Sequence, residues 1–305
     1  MPTLPNTLIL GAAKSGTTSL YDYLCQHPEA FMATPKEPRF FAYAENPPAM
    51  TGPGDASSNE AAGAVYTLDA YQDLFAAATT ESVVGEASPV YLYDADAPRL
   101  IQQHCPEATL IAVLRNPIER AYSHFLHLVR SGREPLRDFE AALDAEDERV
   151  AEGWEWSWHY RRMGRYGAQI ERYLQHVDRD RLHVYRFQQL REDPVGFAQV
   201  VYRALGIDAS FVPDTGLRRR ATGVPKLEWM QSFIHNSDHP IRQLSRYVLP
   251  EPLRDRILTT VKNANLKKPP MSTAAQMRLA EAYREDVERL GTLLDRDFSD
   301  WLAVT

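Results

Sequence analysis

The chain has 305 residues, of which 44% are apolar and 25% are charged, and its formal net charge is −7. This length suits one large α/β domain or two small ones, and the acidic balance argues against general nucleic-acid binding, which needs a basic face. The two cysteines, Cys25 and Cys105, lie far apart and outside any C-x-x-C pair, so no disulfide framework or zinc site is predicted. The absence of a basic, apolar leader and of an 18-residue apolar run predicts a cytoplasmic protein without a membrane span.

Short apolar runs alternate with helical patterns along the chain. Strands are predicted at Thr7–Gly11, Ser82–Gly85, Thr109–Leu114 and Arg181–Phe187. Helices are predicted between and after them, at 17–26, 96–104, 117–132, 165–177 and 194–205. Such alternation favours an α/β fold in which a mainly parallel sheet is flanked by helices.

Three further stretches complete the outline. Residues 45–64 are rich in Pro, Gly, Ala, Ser and Asn, which predicts a mobile loop. Asp138–Glu152 is acidic with one apolar face, which predicts a solvated amphipathic helix. The C-terminal third is predicted to be helical, at Lys226–Asn236, Pro240–Val248, Pro252–Asn263 and Thr273–Leu294. With no internal repeat, residues 1–305 are predicted to form a single domain.

The turn after the first strand carries the first chemical signal. Lys14-Ser15-Gly16-Thr17-Thr18 follows an apolar run, and either threonine can cap the helix that comes next. Backbone N–H groups, the helix dipole, hydroxyls and the Lys14 ammonium would then point at one place, a site for an anion such as phosphate. It is not a Walker A loop, because Lys14 precedes Gly16 instead of following the second glycine.

A second anion signal follows the strand predicted at Thr109–Leu114. That strand delivers Arg115 at its carboxyl end, Pro117 opens a helix, and Ser123 lies two turns into it. In an open α/β sheet, ligands bind beyond the carboxyl ends of the strands. Arg115 and Ser123 could therefore share a phosphate, with the guanidinium offering a planar fork of donors.

These two motifs, in this order, resemble the 5′-phosphosulfate loop and the 3′-phosphate motif of sulfotransferases that use PAPS (3′-phosphoadenosine 5′-phosphosulfate). The resemblance implies a P-loop-like fold, PAPS as the sulfuryl donor and no metal. It implies that Lys14 stabilises the leaving group and that Arg115 and Ser123 hold the 3′-phosphate. The residues implied to hold the 5′-phosphate are Ser15, Gly16, Thr17 and Thr18. A basic loop over the nucleotide is implied at Arg218-Arg219-Arg220, with Arg219 and Arg220 as nucleotide-binding residues.

The segment Lys36-Glu37-Pro38-Arg39-Phe40-Phe41 resembles the Lys-Glu-x-x-(Phe/Tyr)-Phe stretch of heparan-sulfate-type sulfotransferases. That resemblance implies that Glu37 is the general base, since an attacking hydroxyl must lose its proton. Arg39 stands where those enzymes often have histidine, so their acceptor contacts are not carried over. His124 and His127 are the rival candidates for the base.

Gly85–Tyr93 resembles the Glu-(Lys/Ala)-Ser-Pro-x-Tyr stretch of the same family. Ala87 stands where heparan-type members often place a lysine that faces the substrate, so a heparin-like acceptor is less expected. Glu86 is predicted either to orient a catalytic lysine or to cap the following turn.

Two groups of aromatic residues, two histidines and three tryptophans, can each be interpreted in two ways. His124 and His127 lie three residues apart on one helix and are more often packing or surface residues than metal ligands. Trp154, Trp156 and Trp158 alternate, which fits either an acceptor cleft or packing anchors.

The predicted function is that of a PAPS-dependent O-sulfotransferase that acts in line on an acceptor alcohol, which is a small molecule, lipid or glycan. The alternatives are a nucleotide-dependent kinase and a nucleotide-binding scaffold without chemistry. No motif selects the acceptor or an oligomeric state.

Overall fold

Five parallel strands form the central sheet, in the spatial order β2-β3-β1-β4-β5. The computed structural model describes residues 4–58, 63–216 and 269–304, and the backbone of 224–225 and 266–267. The strands are β1 (Thr7–Gly11), β2 (Ala30–Met32), β3 (Val83–Ala87), β4 (Thr109–Leu114) and β5 (Leu182–Arg186). A short antiparallel pair, β6 (Val224–Pro225) and β7 (Leu266–Lys267), forms a separate sheet.

Helices cover both faces of this sheet. In chain order they are α1 (Thr17–Gln26), α2 (Phe40–Tyr43), α3 (Leu68–Asp73), α4 (Ala97–His104), α5 (Pro117–Ser131), α6 (Phe139–Asp144), α7 (Glu146–Ala151), α8 (Tyr166–Leu174), α9 (Phe187–Glu192), α10 (Pro194–Leu205) and α11 (Thr273–Leu294). Single 3₁₀ turns lie at Trp156–Trp158, Arg162–Gly164, Arg179–Arg181 and Ser299–Leu302. None of the helices in the described ranges is long and apolar enough to cross a membrane.

The core has two layers because successive side chains of a strand point to opposite faces. Leu8 and Leu10 of β1 pack on one face, against α4, α5, α8 and α11. Ile9 packs on the other face, against α1, α9 and α10. Strands buried on both sides read as unbroken apolar runs, which is why β1 and β4 were predictable from the sequence.

The topology creates a crevice at the carboxyl ends of β1 and β4. These strands are neighbours, and the chain continues from β1 towards β2 and β3 on one side and from β4 towards β5 on the other. Ligands of open α/β sheets bind at such a switch point. Both predicted anion motifs, which follow β1 and β4, lie there.

The predicted α/β architecture is confirmed, with two corrections. β2 was not predicted, because three residues, two of which are only partly buried, give too short a pattern. The single solvated helix predicted over Asp138–Glu152 is wrong: α6 ends at Asp144, and α7 begins at Glu146. Glu146 is fully buried and accepts the backbone N–H groups of Arg161 and Arg162, so tertiary contacts break the helix.

Other predictions concern the ends of the chain and the loop at 45–64. The helices predicted at Lys226–Asn236, Pro240–Val248 and Pro252–Asn263 lie outside the described residues, whereas α11 confirms the one at Thr273–Leu294. Mobility of 45–64 remains a prediction, although one residue of that stretch, Asp55, is buried and hydrogen-bonded to the rest of the protein. Asp55 is fully buried and accepts hydrogen bonds from Trp158 Nε1 and from the N–H of Glu155, both at 2.9 Å.

Candidate active site

The loop between β1 and α1 presents its backbone at the crevice. Lys14 and Gly16 both have left-handed backbone conformations, with φ of 67° and 85°, and the Ser15 N–H donates to the Ala12 carbonyl at 3.2 Å. Gly16 precedes α1 and offers no side-chain cap. The first N–H groups of a helix have no intrahelical partner, so those of α1 are available to an anion.

Glycine suits position 16, where φ is positive and a side chain would crowd α9. A Cβ atom there would lie 2.4 Å from Leu190 Cδ2 and 3.0 Å from Phe187 Cε2, both in α9. The loop can therefore approach α9 closely, and it carries no side chain that would shield the start of α1. Of the predicted phosphate ligands, Ser15 and Thr17 are buried, and Thr18 is half-buried.

Arg115 connects the two predicted anion motifs. Its Nη1 donates to the carbonyl of Lys14 at 3.4 Å, across the end of the sheet. Its Nη2 and Nε donate to Glu119 Oε2 at 2.9 and 3.1 Å, and the guanidinium carbon lies 5.2 Å from the centre of the Phe187 ring. The structure thus brings Arg115 against the β1 loop and fixes its orientation through Glu119.

Two hydroxyl groups of the predicted site are buried without a hydrogen bond of normal geometry among the described residues. They are Ser123 Oγ, on α5, and Ser15 Oγ. The Ser15 hydroxyl neighbours the phenol of Tyr166. Burial raises the pKa of that phenol overall, although Arg120 and Ser15 partly offset the rise. Buried polar atoms are normally satisfied, so these two hydroxyls are candidates for a hydrogen bond to a ligand.

A cleft of about 910 Å³ opens beside Arg115. Arg186 and Arg191 also line it, and Trp301 and the returning segment at Pro269 close its far side. Arg186 is ion-paired with Asp300. Arg219 and Arg220, which were predicted to bind the nucleotide, lie outside the described residues, as does Arg218.

Glu37 lies in a turn just before α2. Its Oε1 is 2.6 Å from Lys36 Nζ, and its Oε2 is 2.6 Å from Arg39 Nη2. The Arg39 side chain is buried, with 3% exposed, while 20% of the Glu37 side chain is exposed. Two neighbouring cations favour the ionised form of a carboxyl group, so Glu37 can act as a proton acceptor.

Glu86 is fully buried in β3, where its carboxyl group receives hydrogen bonds from Tyr71 and Ser88. Burial raises its pKa to about 7, although the hydroxyls of Tyr91, Ser88 and Tyr71 and the charge of Lys36 lower it. Ala87, next in the strand, is also fully buried. The side chain that replaces the family's lysine therefore has no surface to offer to a substrate.

His124 lies near the site but is poorly suited to act as a base. It is buried, and burial, together with the charges of Arg120 and Lys14, holds its pKa well below the usual range. Its Nδ1 lies 3.3 Å from Arg120 Nη1, which can only donate. His127 lies next to it, with ring centres 6.4 Å apart, and its Nδ1 is 3.4 Å from Arg130 Nη2.

The three tryptophans have different positions. Trp158 is fully buried, bonded to Asp55, and Trp154 packs edge-on against it at 4.8 Å between ring centres, so these two are packing anchors. Trp156 is buried beside His124, with ring centres 5.9 Å apart, and its Nε1 donates to the Tyr43 hydroxyl at 2.9 Å. Trp156 and Trp158 are buried and Trp154 is only partly exposed, so the structure favours packing anchors over an acceptor cleft.

The sequence did not single out Arg120, a fully buried cation one turn before His124. It donates through Nη2 to the carbonyl of Tyr160, ahead of α8. Arg120 lies one turn into an otherwise apolar helix face, and this position could have indicated a buried cation. Charged residues on a helix are usually exposed to solvent, so the sequence alone does not favour that interpretation. Among the described residues, no group of three or more His, Cys, Asp or Glu side chains could hold a metal ion.

Comparison with curated proteins relates this chain to sulfotransferases. The bifunctional heparan sulfate N-deacetylase/N-sulfotransferase 4 of Mus musculus is 30% identical over 214 residues, which cover 67% of this chain and 22% of that protein. The heparan sulfate glucosamine 3-O-sulfotransferase 3B1 of Mus musculus is 28% identical over 204 residues, which cover 67% of this chain and 46% of that protein. The chain thus spans less than half the length of these relatives.

Solved structures give the same relation. A sulfotransferase from Alicyclobacillus acidocaldarius is 32% identical, with a TM-score of 0.78 over 99% of this chain and 100% of that one. The mouse sulfotransferase SULT7A1 complexed with PAP is 15% identical, with a TM-score of 0.50 over 95% of this chain and 87% of that one, a likeness of fold alone. The family model described as "Sulfotransferase family" matches residues 5–211. Two thirds of the chain, including both anion motifs and Glu37, fall in that match, and the chain belongs to the sulfotransferase family.

Proposed function

We propose that this chain transfers a sulfuryl group from PAPS to the hydroxyl of an acceptor alcohol. The observation that carries the proposal is the contact between the two anion motifs, in which Arg115 donates to the carbonyl of Lys14 at 3.4 Å. That contact brings a guanidinium, a lysine and the start of a helix to one crevice of the sheet. Such a set of donors suits a ligand with two phosphate groups.

The residues present fit the donor. The N–H groups at the start of α1 and the hydroxyls of Thr17 and Thr18 would hold the 5′-phosphate. Arg115 and Ser123 would hold the 3′-phosphate, which would give the Ser123 hydroxyl the partner that the described residues do not supply. The cleft of about 910 Å³ beside Arg115 has room for a nucleotide; Arg115 lines it, whereas the residues of the β1 loop and Ser123 are not among its lining residues.

The chemistry requires one proton acceptor and one stabilised leaving group. When bound, PAPS supplies a sulfuryl group whose sulfur–oxygen bond to the 5′-phosphate breaks as a new bond forms to the acceptor oxygen. Lys14 would stabilise the negative charge that develops on the departing phosphate oxygen. Glu37 would take the proton of the attacking hydroxyl. Holding both groups in line supplies much of the rate.

The acceptor hydroxyl needs access to one oxygen of the Glu37 carboxylate, which is bonded to Lys36 and Arg39. Lys36 is the more exposed partner, with 16% of its side chain accessible against 3% for Arg39. We expect Lys36 to move away as the acceptor binds, while Arg39 keeps the carboxylate in place. This order follows from the lower cost of moving an exposed side chain.

The acceptor is proposed to be a neutral sugar or an apolar alcohol. Ala87 lacks the cation that heparan-type members often place at this position. Its side chain is also fully buried, so it cannot contact a charged group of the acceptor. Trp156, Tyr43 and His124 pack together near the site, but all three are buried and offer the acceptor no open surface. The proposal for the acceptor therefore rests on the alanine at position 87.

The deciding experiment compares Glu37→Gln with a matched control, Glu45→Gln, which removes a carboxylate paired with Arg99 on the surface. Glu37→Gln should bind adenosine 3′,5′-bisphosphate like the wild type, while sulfuryl transfer from labelled PAPS falls by on the order of 10²–10⁴. Glu45→Gln should keep full activity.

Two results would refute parts of this proposal. Normal turnover in Glu37→Gln, with activity lost on substitution of His124 or His127, would make a histidine the base. Transfer from ATP instead of PAPS by the wild type would identify a kinase, and nucleotide binding without either transfer would identify a scaffold.

A further inference from the structure

Glu86 is a carboxyl group buried inside the sheet. It lies in β3, in register with Leu8 of β1. Its Oε1 accepts a hydrogen bond from the Tyr71 hydroxyl at 3.2 Å, and its Oε2 accepts one from the Ser88 hydroxyl at 2.9 Å. Burying an ionisable group costs free energy even when it is bonded, and apolar replacements are often no less stable. Stability alone therefore does not account for a carboxyl group here.

Ser88 links this carboxyl group to the turn that carries Glu37. The Ser88 Oγ accepts the backbone N–H of Arg39 at 3.0 Å. A hydroxyl has only one proton to donate. Because Ser88 donates it to Glu86, its lone pairs are directed towards the Arg39 N–H. The Arg39 N–H can only donate, and Glu86 takes the one proton that Ser88 has to give; we call this pair of hydrogen bonds the Glu86–Ser88 relay.

The turn at Glu37–Arg39 depends on such a fixed point. Glu37 and Arg39 both have left-handed backbone conformations, with φ of 69° and 56°, which are unfavourable for residues with a side chain. The Glu37 carboxylate and its Arg39 partner belong to the same turn. Loss of the bond from the Arg39 N–H would therefore displace the carboxylate and the cation that orients it.

We infer that Glu86, acting through Ser88, is a positioning residue for Glu37 and holds its carboxylate where it can meet the acceptor hydroxyl. This inference rests on the proposed role of Glu37 as the base. It assigns Glu86 to the turn before α2.

Protonation of Glu86 would disturb the relay, because a protonated carboxyl group can donate to Ser88 instead of accepting from it. Burial raises the pKa of Glu86 to about 7. Lys36 is the cation that acts on Glu86. The other titratable groups near it stay neutral at this pH because burial raises their pKa values; they are Tyr71, Tyr91, Tyr173 and Cys105. The relay should therefore be complete above pH 7 and weaken below it.

The first test is Glu86→Gln, which keeps the shape and one acceptor oxygen but places an amide N–H₂ against one of the two hydroxyls that donate to the carboxyl group. We expect the Kd for adenosine 3′,5′-bisphosphate and the KM for PAPS to stay within about twofold, with kcat at least about tenfold lower. The rise of kcat between about pH 6 and 8 should disappear. The matched control is Glu146→Gln, another fully buried carboxyl group whose pKa burial raises. It should keep both the kcat per nucleotide-binding site and the pH profile.

A second variant and a readout without turnover complete the test. Ser88→Ala interrupts the relay and leaves the carboxyl group in place. Amide hydrogen exchange in the segment 36–43 should accelerate at least about tenfold in both relay variants and remain unchanged in Glu146→Gln. This readout still reports on the turn if the wild type transfers no sulfuryl group, an outcome that would refute the proposed function alone. Wild-type kcat and pH profile in Glu86→Gln, or unchanged exchange in both variants, would overturn the inference.

Discussion

The buried hydroxyl of Ser123 gives the sharpest test of the nucleotide site, because its contributions to stability and to binding have opposite signs. The side chain is 1% exposed, and its Oγ has no hydrogen-bond partner among the described residues. An unsatisfied buried polar group costs about 1–3 kcal/mol, and alanine is the better helix former. Ser123→Ala should therefore raise the free energy of unfolding of the nucleotide-free protein by about 1 kcal/mol.

The same substitution should weaken nucleotide binding. A hydrogen bond to a charged phosphate is worth about 1.5–3 kcal/mol, so the Kd for adenosine 3′,5′-bisphosphate should rise by about tenfold to a hundredfold. Adenosine 5′-phosphate, which lacks the 3′-phosphate, should bind both proteins equally. Denaturant titration and calorimetry measure the two effects on one sample.

Ser131→Ala is the matched control, on the same helix. The Ser131 Oγ donates to the Leu128 carbonyl at 3.0 Å, so its removal should slightly lower stability and leave nucleotide affinity unchanged. If Ser123→Ala loses stability and binds adenosine 3′,5′-bisphosphate normally, Ser123 is a packing residue and the 3′-phosphate lies elsewhere.

Four further predictions follow from the same site. Arg115→Ala should weaken adenosine 3′,5′-bisphosphate about tenfold to a hundredfold and adenosine 5′-phosphate much less; equal losses in calorimetry would remove it from the 3′-phosphate. Lys14→Ala should lower kcat with little change in KM in steady-state kinetics, whereas an effect on KM alone would make Lys14 a binding residue. Gly16→Ala should cost about 2 kcal/mol or more of unfolding free energy, against about 1 kcal/mol for Gly132→Ala, which shares the positive φ but meets nothing within 4 Å; equal losses would contradict the close approach to α9. Folding raises the pKa of Glu86 from 4.5 to about 7, so the folded protein keeps this proton to a higher pH than the unfolded chain does. The free energy of unfolding should therefore fall by about 3 kcal/mol as the pH rises from 4.5 to about 7; a Glu86→Gln protein with the same slope would disprove this.

Several parts of the site were predictable because they depend on local order. The β1 loop lies between a strand that is apolar on both faces and a helix. Lys14 and Gly16 are therefore located by sequence neighbours only a few residues away. Arg115 likewise follows a strand directly. Parallel strands place their carboxyl ends on one edge, which predicts that these two motifs meet.

Other features depend on contacts between distant residues. The alternation of the three tryptophans is the same whether they line a cleft or fill a core; the carboxylate of Asp55, about a hundred residues away, anchors Trp158 inside. The helix predicted over Asp138–Glu152 had a suitable apolar pattern, yet it breaks where Glu146 turns inward to cap the backbone of Arg161. Propensity cannot anticipate such competition, since the partner lies outside the local window.

The sequence by itself determined the α/β class, the order of the strands that carry the two anion motifs, and the candidate residues of the loop after β1. These follow from hydrophobic periodicity and turn chemistry, which act over about ten residues. Only the tertiary structure decided that Arg115 reaches the carbonyl of Lys14, that the Ser123 hydroxyl is buried without a described partner, and that Glu86 holds the turn of Glu37 through Ser88. Burial and hydrogen-bond partners are set by packing between elements far apart in the chain, and burial in turn fixes the proton affinity of a group such as Glu86.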